Sequence, residues 1–247
     1  PFNCEFCDAI ERHGRQPRAK SNEQLLAELG ALYRLGYRGL VHLVDDNFIG
    51  YKNLVKHLLP EIRTWQEMHK WPFSFTAEAS LNLSKDEELL KMLKGVNITS
   101  LFIGIETPEP AILDSIGKRQ NTEIDIGQAL KRIHAHGIYV NAGIILGFDT
   151  ETNDSADNII ECAAKSGIPT VQVSLLYALP RTQLTRRLKN EGRLVERNEF
   201  AEATQERQYA IGLNFETKRP RREILEDYLR VVETLYDPSH YCERVLK

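Results

Sequence analysis

The chain has 247 residues, of which 42% are hydrophobic, so it is long enough to bury a core of barrel size. A formal net charge of −3 gives no general attraction to nucleic acid or to anionic lipid, and no apolar stretch is long enough to span a bilayer. Four cysteines in this length argue against a disulfide framework and for a reducing compartment, so we expect a cytoplasmic protein with no transmembrane segment and no nucleic-acid partner.

The first feature in chain order is a pair of cysteines, Cys4 and Cys7, in the sequence PFNCEFC. In a reducing compartment, two cysteines at this spacing more often serve metal or redox chemistry than a disulfide. The pair alone does not separate an iron–sulfur site from a zinc site or a thiol redox pair. Cys162 falls on the apolar face of a predicted helix and is interpreted as a buried small side chain, whereas Cys242 has no assignment.

Short apolar runs rich in β-branched residues then alternate with segments of helical spacing. The runs predict strands at 39–46, 73–80, 100–107, 139–148 and 170–179, and the spacing predicts helices at 53–69, 86–95, 126–137 and 156–167. Four glycines that precede strands suit the left-handed residue that ends a helix: Gly36, Gly95, Gly137 and Gly167.

This alternation predicts an α/β fold with a parallel sheet, because parallel neighbours need a crossover helix between them. Strands this apolar need cover on both faces, which favours a whole or partial (βα) barrel, with an open doubly wound sheet as the alternative. After about residue 190 the strand pattern fades and a charged, mostly helical tail follows.

Polar residues interrupt the strand pattern where each predicted strand ends. They are Asp45, Asp46 and Asn47 after the first strand, Glu78 in the second, and Glu106 and Thr107, which follow Gly104, in the third; the fourth strand ends on the segment that contains Gly143, Ile145 and Gly147. In a barrel these ends share one face, where such folds place their sites. We therefore expect the carboxylates and the cysteine pair to converge on one rim.

The residues at this rim allow more than one function. Asp45, Asp46, Glu78 and Glu106 offer oxygen ligands for Mg²⁺ or Mn²⁺, as in a divalent-metal barrel lyase or hydrolase, but that hypothesis leaves the cysteines unexplained. A binding module in which Cys4 and Cys7 hold structural zinc is a non-enzymatic alternative. The aspartates and Glu106 can also serve only to cap helix starts.

The sequence PFNCEFC resembles the end of the CxxxCxxC motif of the radical S-adenosylmethionine (SAM) enzymes, with the first cysteine expected just before Pro1. The resemblance implies that Cys4 and Cys7 are two of three ligands to a [4Fe-4S] cluster. In such enzymes an electron from the cluster cleaves SAM to a 5′-deoxyadenosyl radical. Phe6 would then lie against the adenine.

Further segments are similar to the same family. DDNFIG stands where the family has a glycine-glycine-glutamate motif, which implies that Asp45, Asp46 and Asn47 meet the SAM amino group, with Asp46 as the leading candidate. Glu78, Gly104, Glu106 and Thr107 resemble ribose and methionine contacts, and Gly143, Ile145 and Gly147 match the GxIxG pattern that cradles adenine. Thr150 stands where the family has a glutamate, and Glu151 follows it.

Several segments together look like the B12-binding radical SAM proteins with a DUF4070 tail, the hopanoid C-3 methylase-like group. The resemblance implies a partial (βα)6-type TIM barrel that shows strands two to six. Residues 1–195 would form the core, without its first strand and first cluster cysteine, and residues 196–247 would begin the helical tail domain.

For function, the same resemblance implies cobalamin-dependent transfer of a methyl or related group to an unactivated carbon. An upstream domain would bind most of the cobalamin, and this chain alone would be inactive. It further implies a small-molecule or lipid-like substrate and an electron donor such as flavodoxin or ferredoxin. No catalytic residue is identified.

Overall fold

A computed structural model describes residues 2–16, 18–195 and 212–246 of the chain. In chain order the elements are α1 (Ala9–His13), α2 (Asn22–Arg34), β1 (Gly39–Leu43), α3 (Lys52–Met68), β2 (Phe73–Ala79), α4 (Glu87–Gly95), β3 (Ile98–Glu106), α5 (Pro110–Ser115), α6 (Ile126–Ala135), β4 (Tyr139–Leu146), α7 (Ser155–Ser166), β5 (Thr170–Leu175), α8 (Gln183–Asn190), α9 (Arg221–Tyr236) and α10 (Pro238–Val245). Short 3₁₀ helices occupy Leu81–Lys85 and Arg119–Asn121.

The five strands form one parallel sheet in the order β1-β2-β3-β4-β5, so each strand pairs with its neighbour in the sequence. Helical crossovers connect the strands, and right-handed connections of this kind curl a parallel sheet toward a barrel. The prediction of a partial (βα) barrel with a mostly helical tail is confirmed, and the doubly wound alternative is excluded because the strand order never reverses.

Buried and half-buried side chains alternate along the strands, and this alternation shows which face of the sheet the helices cover. In β2, the side chains of Phe73, Phe75 and Ala77 are buried beneath helices, while Thr76 and Glu78 on the opposite face are half-buried. The buried set joins one continuous apolar core with residues of β3, β4 and α3 to α7. The half-buried set lines the concave face of the curled sheet, and its last member, Glu78, reaches the rim.

The predicted helix ends are right at three of four glycines. Gly36, Gly137 and Gly167 have positive φ angles of 81°, 68° and 65°. The prediction for Gly95 is wrong: it is the last residue of α4, and Asn97, with φ of 72°, takes the left-handed conformation. Asparagine tolerates this conformation better than most residues with a side chain, so no glycine is needed there.

The tail packs on the last crossover helix and on the edge strand. The hydroxyl of Tyr236 in α9 donates a hydrogen bond to the carbonyl of Val171 in β5 at 2.7 Å and accepts one from its N–H at 3.1 Å. Buried Arg244 in α10 donates from Nε to the carbonyl of Ile168 at 2.6 Å. These bonds fasten α9 and α10 to the barrel segment, although residues 196–211, where the tail domain is predicted to begin, lie outside the described residues. No helix within the described ranges has the length and apolar character needed to cross a bilayer.

Candidate cofactor site

The cysteine pair lies in a short turn whose backbone is held from two sides. The N–H of Cys7 donates to the carbonyl of Cys4 at 3.2 Å, which closes the turn. The N–H of Glu5 donates to the carbonyl of Ile116 at 2.9 Å, and the N–H of Leu184 donates to the carbonyl of Glu5 at 2.8 Å. The turn is therefore held between the segment that follows α5 and the start of α8.

Close backbone contact on the α5 side depends on Gly117, which is not among the predicted site residues. Gly117 has a φ of +74°, and a Cβ added there would lie 2.8 Å from the carbonyl oxygen of Asn3. That distance is shorter than a normal carbon–oxygen contact, so a side chain at this position would push the cysteine turn away.

A buried ion pair lies next to the turn. The carboxylate of Glu106, at the end of β3, pairs with the ammonium of Lys118, and the two residues are only 6% and 8% exposed. Glu106 has a φ of 67°, and the pairing of β3 with β4 shifts register between Gly104 and Glu106. The shift turns the carboxylate toward Lys118. Gly104 leaves room for the pair, since a Cβ there would collide with the carboxylate of Glu106 and lie 2.9 Å from Nζ of Lys118.

Charges around the two thiols show which predicted residues lie close to them. Burial raises the pKa of Cys4, while the charge of Lys118 and a hydrogen bond from Gln120, whose Nε2 lies 3.9 Å from Sγ, act to lower it. Burial also raises the pKa of Cys7, and the charges of the Cys4 thiolate, of Asp8 and of Asp46 add to that rise. Cys4, Cys7, Asp46 and Glu106 thus share one end of the sheet.

The acidic residues after β1 form a turn beside β2. The N–H of Asn47 donates to Oδ1 of Asp45 at 2.8 Å, and the N–H of Phe48 donates to the carbonyl of Glu78 at 2.9 Å. Asp45 and Asp46 are exposed, and burial followed by the charge of Asp46 raises the pKa of Glu78.

The hard-metal hypothesis required Asp45, Asp46, Glu78 and Glu106 to act together. Glu106 is instead paired with Lys118. Within the described parts of the chain, no group of three or more histidine, cysteine, aspartate or glutamate side chains is placed to hold a metal ion. The carboxylates alone therefore do not form a cation site.

The carboxylate of Glu151 fixes the end of β4. This residue lies one position after the glutamate that the family pattern predicts. Both carboxylate oxygens of Glu151 accept from the N–H of Gly147, at 2.8 and 2.9 Å, and Gly147 has a φ of +107°. Burial raises the pKa of Glu151 to about 7, although these backbone hydrogen bonds and the charge of Arg219 oppose the rise. Thr150, at the family's glutamate position, contacts Ser115 through its hydroxyl at 3.1 Å.

The remaining predicted residues occupy the same rim or the concave face. The ring of Phe6 packs against Phe148 with centroids 6.0 Å apart. Gly143 sits where a Cβ would lie 2.9 Å from the ring of Phe102, and Ile145 is half-buried. The hydroxyl of Thr107, which is buried, accepts from the N–H of Glu109 at 3.2 Å and so serves the start of α5.

The thiols of Cys4 and Cys7 are suitable ligands for an iron–sulfur cluster, because cysteine thiolates are the usual protein ligands of such clusters. A cluster that binds SAM needs three thiolates and leaves one iron open, and the described residues bring two cysteines to this rim. Cys162 lies on α7 near Ser166, where it is half-buried rather than fully buried as predicted, and Cys242 is exposed on α10. The donor set therefore fits as two of the three protein ligands.

Comparison with known families and proteins identifies the two parts of the chain. Residues 1–163 match the family model of the radical SAM superfamily, and residues 182–247 match that of a domain of unknown function, DUF4070. Over 244 residues the chain is 42% identical to an uncharacterized methyltransferase of Synechocystis sp. (strain ATCC 27184 / PCC 6803 / Kazusa), covering 99% of this chain and 45% of the relative. It is 40% identical over 195 residues to a hopanoid C-2 methylase of Rhodopseudomonas palustris (strain TIE-1), covering 79% of this chain and 37% of the relative. The chain thus spans less than half the length of these curated relatives.

Solved structures with the same fold include a radical SAM methyltransferase, TsrM from Kitasatospora setae, with cobalamin and a [4Fe-4S] cluster bound. It matches with a TM-score of 0.66 at 16% identity, covering 77% of this chain and 37% of that one. The cobalamin-dependent SAM radical enzyme OxsB, with aqua-cobalamin and SAM bound, matches with a TM-score of 0.56 at 19% identity, covering 77% of this chain and 28% of that one. At these identities the likeness establishes the fold.

Proposed function

We propose, from the premise that this chain belongs to the radical SAM superfamily, that it forms the SAM-binding core of a cobalamin-dependent methyltransferase. Its sequence relatives include methyltransferases, one of them a hopanoid methylase, and its fold neighbours include cobalamin radical SAM enzymes. The observation that carries the proposal is the position of the Cys4–Cys7 turn against the ion pair of Glu106 and Lys118 at the rim.

In this proposal the thiolates of Cys4 and Cys7 hold two irons of a [4Fe-4S] cluster. When bound, the cluster supplies the electron that cleaves the carbon–sulfur bond of SAM. The residues of this chain act by holding SAM in place and by excluding water from it. Asp46, exposed beside Cys7, supplies an anion to the SAM ammonium. Glu78 and Thr107 flank the methionine and ribose.

The adenine lies, in the same proposal, along the end of β4. Gly143 and Gly147 present backbone without a side chain there, and Ile145 offers an apolar contact between them. Phe6 closes this side from the cysteine turn, where it already packs on Phe148. Glu151 keeps the Gly147 N–H occupied, so the adenine would use other backbone groups of this loop.

The proposed acceptor is an unactivated carbon of a small or lipid-like molecule, in keeping with the hopanoid methylase among the relatives. Cobalamin is held mainly by a part of the protein outside this chain, and a flavodoxin or ferredoxin supplies electrons.

Anaerobic reconstitution of the full protein with iron and sulfide tests the proposal. We expect a cluster absorbance that changes on addition of SAM, and its loss in Cys4→Ala and Cys7→Ala. Asp46→Asn should weaken SAM binding at unchanged iron content, by about tenfold for the loss of one charge-assisted contact.

Asp154→Asn is the matched control, because Asp154 is exposed and its side chain makes no capping hydrogen bond. Uptake of zinc with no iron–sulfur absorbance would favour the structural-zinc alternative and contradict the proposal. Unaltered SAM affinity in Asp46→Asn would remove that residue from the site.

A further inference from the structure

The glutamate between the two cysteines makes a two-point ion pair with α8. Nε of Arg187 donates to Oε2 of Glu5 at 3.0 Å, and Nη2 donates to Oε1 at 2.8 Å. The Glu5 side chain is 17% exposed and that of Arg187 34%. A guanidinium fork on a carboxylate fixes both the distance and the orientation of the two groups, unlike a single contact.

The same guanidinium also holds the loop after β4. Nη1 of Arg187 donates to Oδ2 of Asp149 at 2.8 Å. Arg193 donates to both oxygens of Asp149, and the Asp149 side chain is 11% exposed. Burial alone would raise the pKa of Asp149, but the hydrogen bonds from Arg193 and Arg187 lower it overall. Arg187 therefore joins the cysteine turn to the loop that begins at Gly147.

Two further contacts place α8 against the cysteine turn. The N–H of Leu184 donates to the carbonyl of Glu5 at 2.8 Å, and Nε2 of Gln183 donates to Oδ1 of Asn3 at 2.8 Å. Thr182 caps the helix by accepting from the N–H of Thr185 at 3.2 Å, which fixes where α8 starts. Backbone and side chains of α8 thus contact the turn together.

We infer that Arg187 is a positioning residue that holds the cysteine turn in register with the loop of Gly147 to Asp149. Arg187 touches neither thiol, and it acts through Glu5 on one side and Asp149 on the other. It lies in the part of the chain that matches DUF4070, outside residues 1–163 that match the radical SAM model. A part of the chain that matches DUF4070 therefore contacts the cysteine turn directly. The inference rests on the proposed function only for the identity of the cofactor that the cysteine turn binds.

A neighbouring pair on α8 provides a matched control. Nη2 of Arg186 donates to Oε1 of Glu11 at 2.7 Å in a single contact, and the two side chains are 54% and 30% exposed. Exposed ion pairs that make a single contact contribute little to stability, so Arg186→Gln should leave the cysteine turn unchanged. Arg186 and Arg187 are adjacent arginines of one helix, so the same substitution compares them directly.

Amide hydrogen exchange of residues 2–8 in the full protein, before any cluster is added, measures the order of the turn. We expect exchange to be at least about tenfold faster in Arg187→Gln and in Glu5→Gln, and within about twofold of wild type in Arg186→Gln. The double variant of Glu5 and Arg187 should exchange no faster than Arg187→Gln alone, because the two residues share one interaction.

The reconstituted protein then tests positioning separately from folding. In Arg187→Gln, we expect the reduced cluster to form. The change that SAM produces in its electron paramagnetic resonance spectrum should require about tenfold more SAM than in wild type. Arg187→Lys keeps the positive charge but loses the two-point hydrogen bonding, so it should restore part of the response to low SAM concentration. A purely structural role would lower the melting temperature and leave the SAM dependence of the spectrum unchanged.

Equal exchange of residues 2–8 in wild type and Arg187→Gln, or an equal increase in Arg186→Gln, would overturn the inference. If Arg187→Gln does not fold, Glu5→Gln decides, because it leaves the bond from Arg187 to Asp149 in place. If the wild-type protein takes up no cluster, the proposed function fails, while the exchange comparison still decides whether Arg187 orders the turn.

Discussion

Glu151 makes stability depend on pH in a way that one substitution isolates. Its side chain is 1% exposed, and burial raises the pKa of the carboxyl from 4.5 to about 7. Glu109 adds a like charge nearby, and Arg219, whose Nη1 lies 3.9 Å from Oε2 of Glu151, offsets the burial only in part. Arg219 also donates to Asp227, which competes for the same guanidinium.

The sign follows from the order in which the two states lose their protons. As pH rises from about 4.5, the carboxyl ionises in the unfolded chain first, so the free energy of unfolding falls until the folded pKa near 7 is passed. The interval between the two pKa values corresponds to roughly 3 kcal/mol, since one pKa unit is 1.36 kcal/mol. Glu151→Gln removes this titration, and its amide oxygen still accepts from the N–H of Gly147.

Urea unfolding of wild type and Glu151→Gln at pH 5, 6, 7 and 8 tests the argument. Relative to the variant, wild type should lose on the order of 2 to 3 kcal/mol of stability between pH 5 and pH 8. Glu161→Gln on the same stretch of chain is the control, because its side chain is 60% exposed. A difference between wild type and Glu151→Gln that stays constant with pH would refute the reasoning.

Two further predictions concern the ion pair and the cofactor. Glu106→Gln leaves the ammonium of Lys118 buried without its partner, so the free energy of unfolding should fall by about 3 to 5 kcal/mol. Adding Lys118→Met should restore part of this loss. A loss below about 1 kcal/mol in denaturant unfolding would contradict the burial of the pair. Residues 1–247 alone should bind cobalamin poorly, and tight stoichiometric binding in a spectrophotometric titration would overturn the assignment of that cofactor to a separate part of the protein.

The strands were predictable because each carries enough apolar, β-branched residues to fill a buried face. All five predicted strands exist, and their parallel order follows from the helices between them. The ends were less accurate: β1 stops at Leu43, so Asp45 to Asn47 form a turn, and β4 stops at Leu146. Strand ends depend on where pairing with a neighbour stops, which the pattern of one strand does not encode.

The partners of the site residues were not predictable from motif spacing. Lys118 lies 12 positions after Glu106 in the sequence, and Arg187 lies 182 positions after Glu5. No local pattern specifies either pair, because tertiary packing brings them together. The sequence shows Lys118 just after the apolar segment of α5 and Glu5 between two cysteines. Neither position indicates which residue it pairs with.

The last prediction follows from the number of thiolates at the rim. Cys4 and Cys7 are the cysteines that the described residues place there, and a SAM-binding cluster needs three. Cys162 would have to leave the half-buried side of α7, where burial raises its pKa, and would lose the contacts that it makes there. We therefore expect residues 1–247 alone to take up iron weakly and to lose it to a chelator within minutes. An extended protein that includes the cysteine expected just before Pro1 should retain its iron. If residues 1–247 alone held four irons per chain against the chelator, a third ligand within this chain would be required, and Cys162→Ala and Cys242→Ala would identify it.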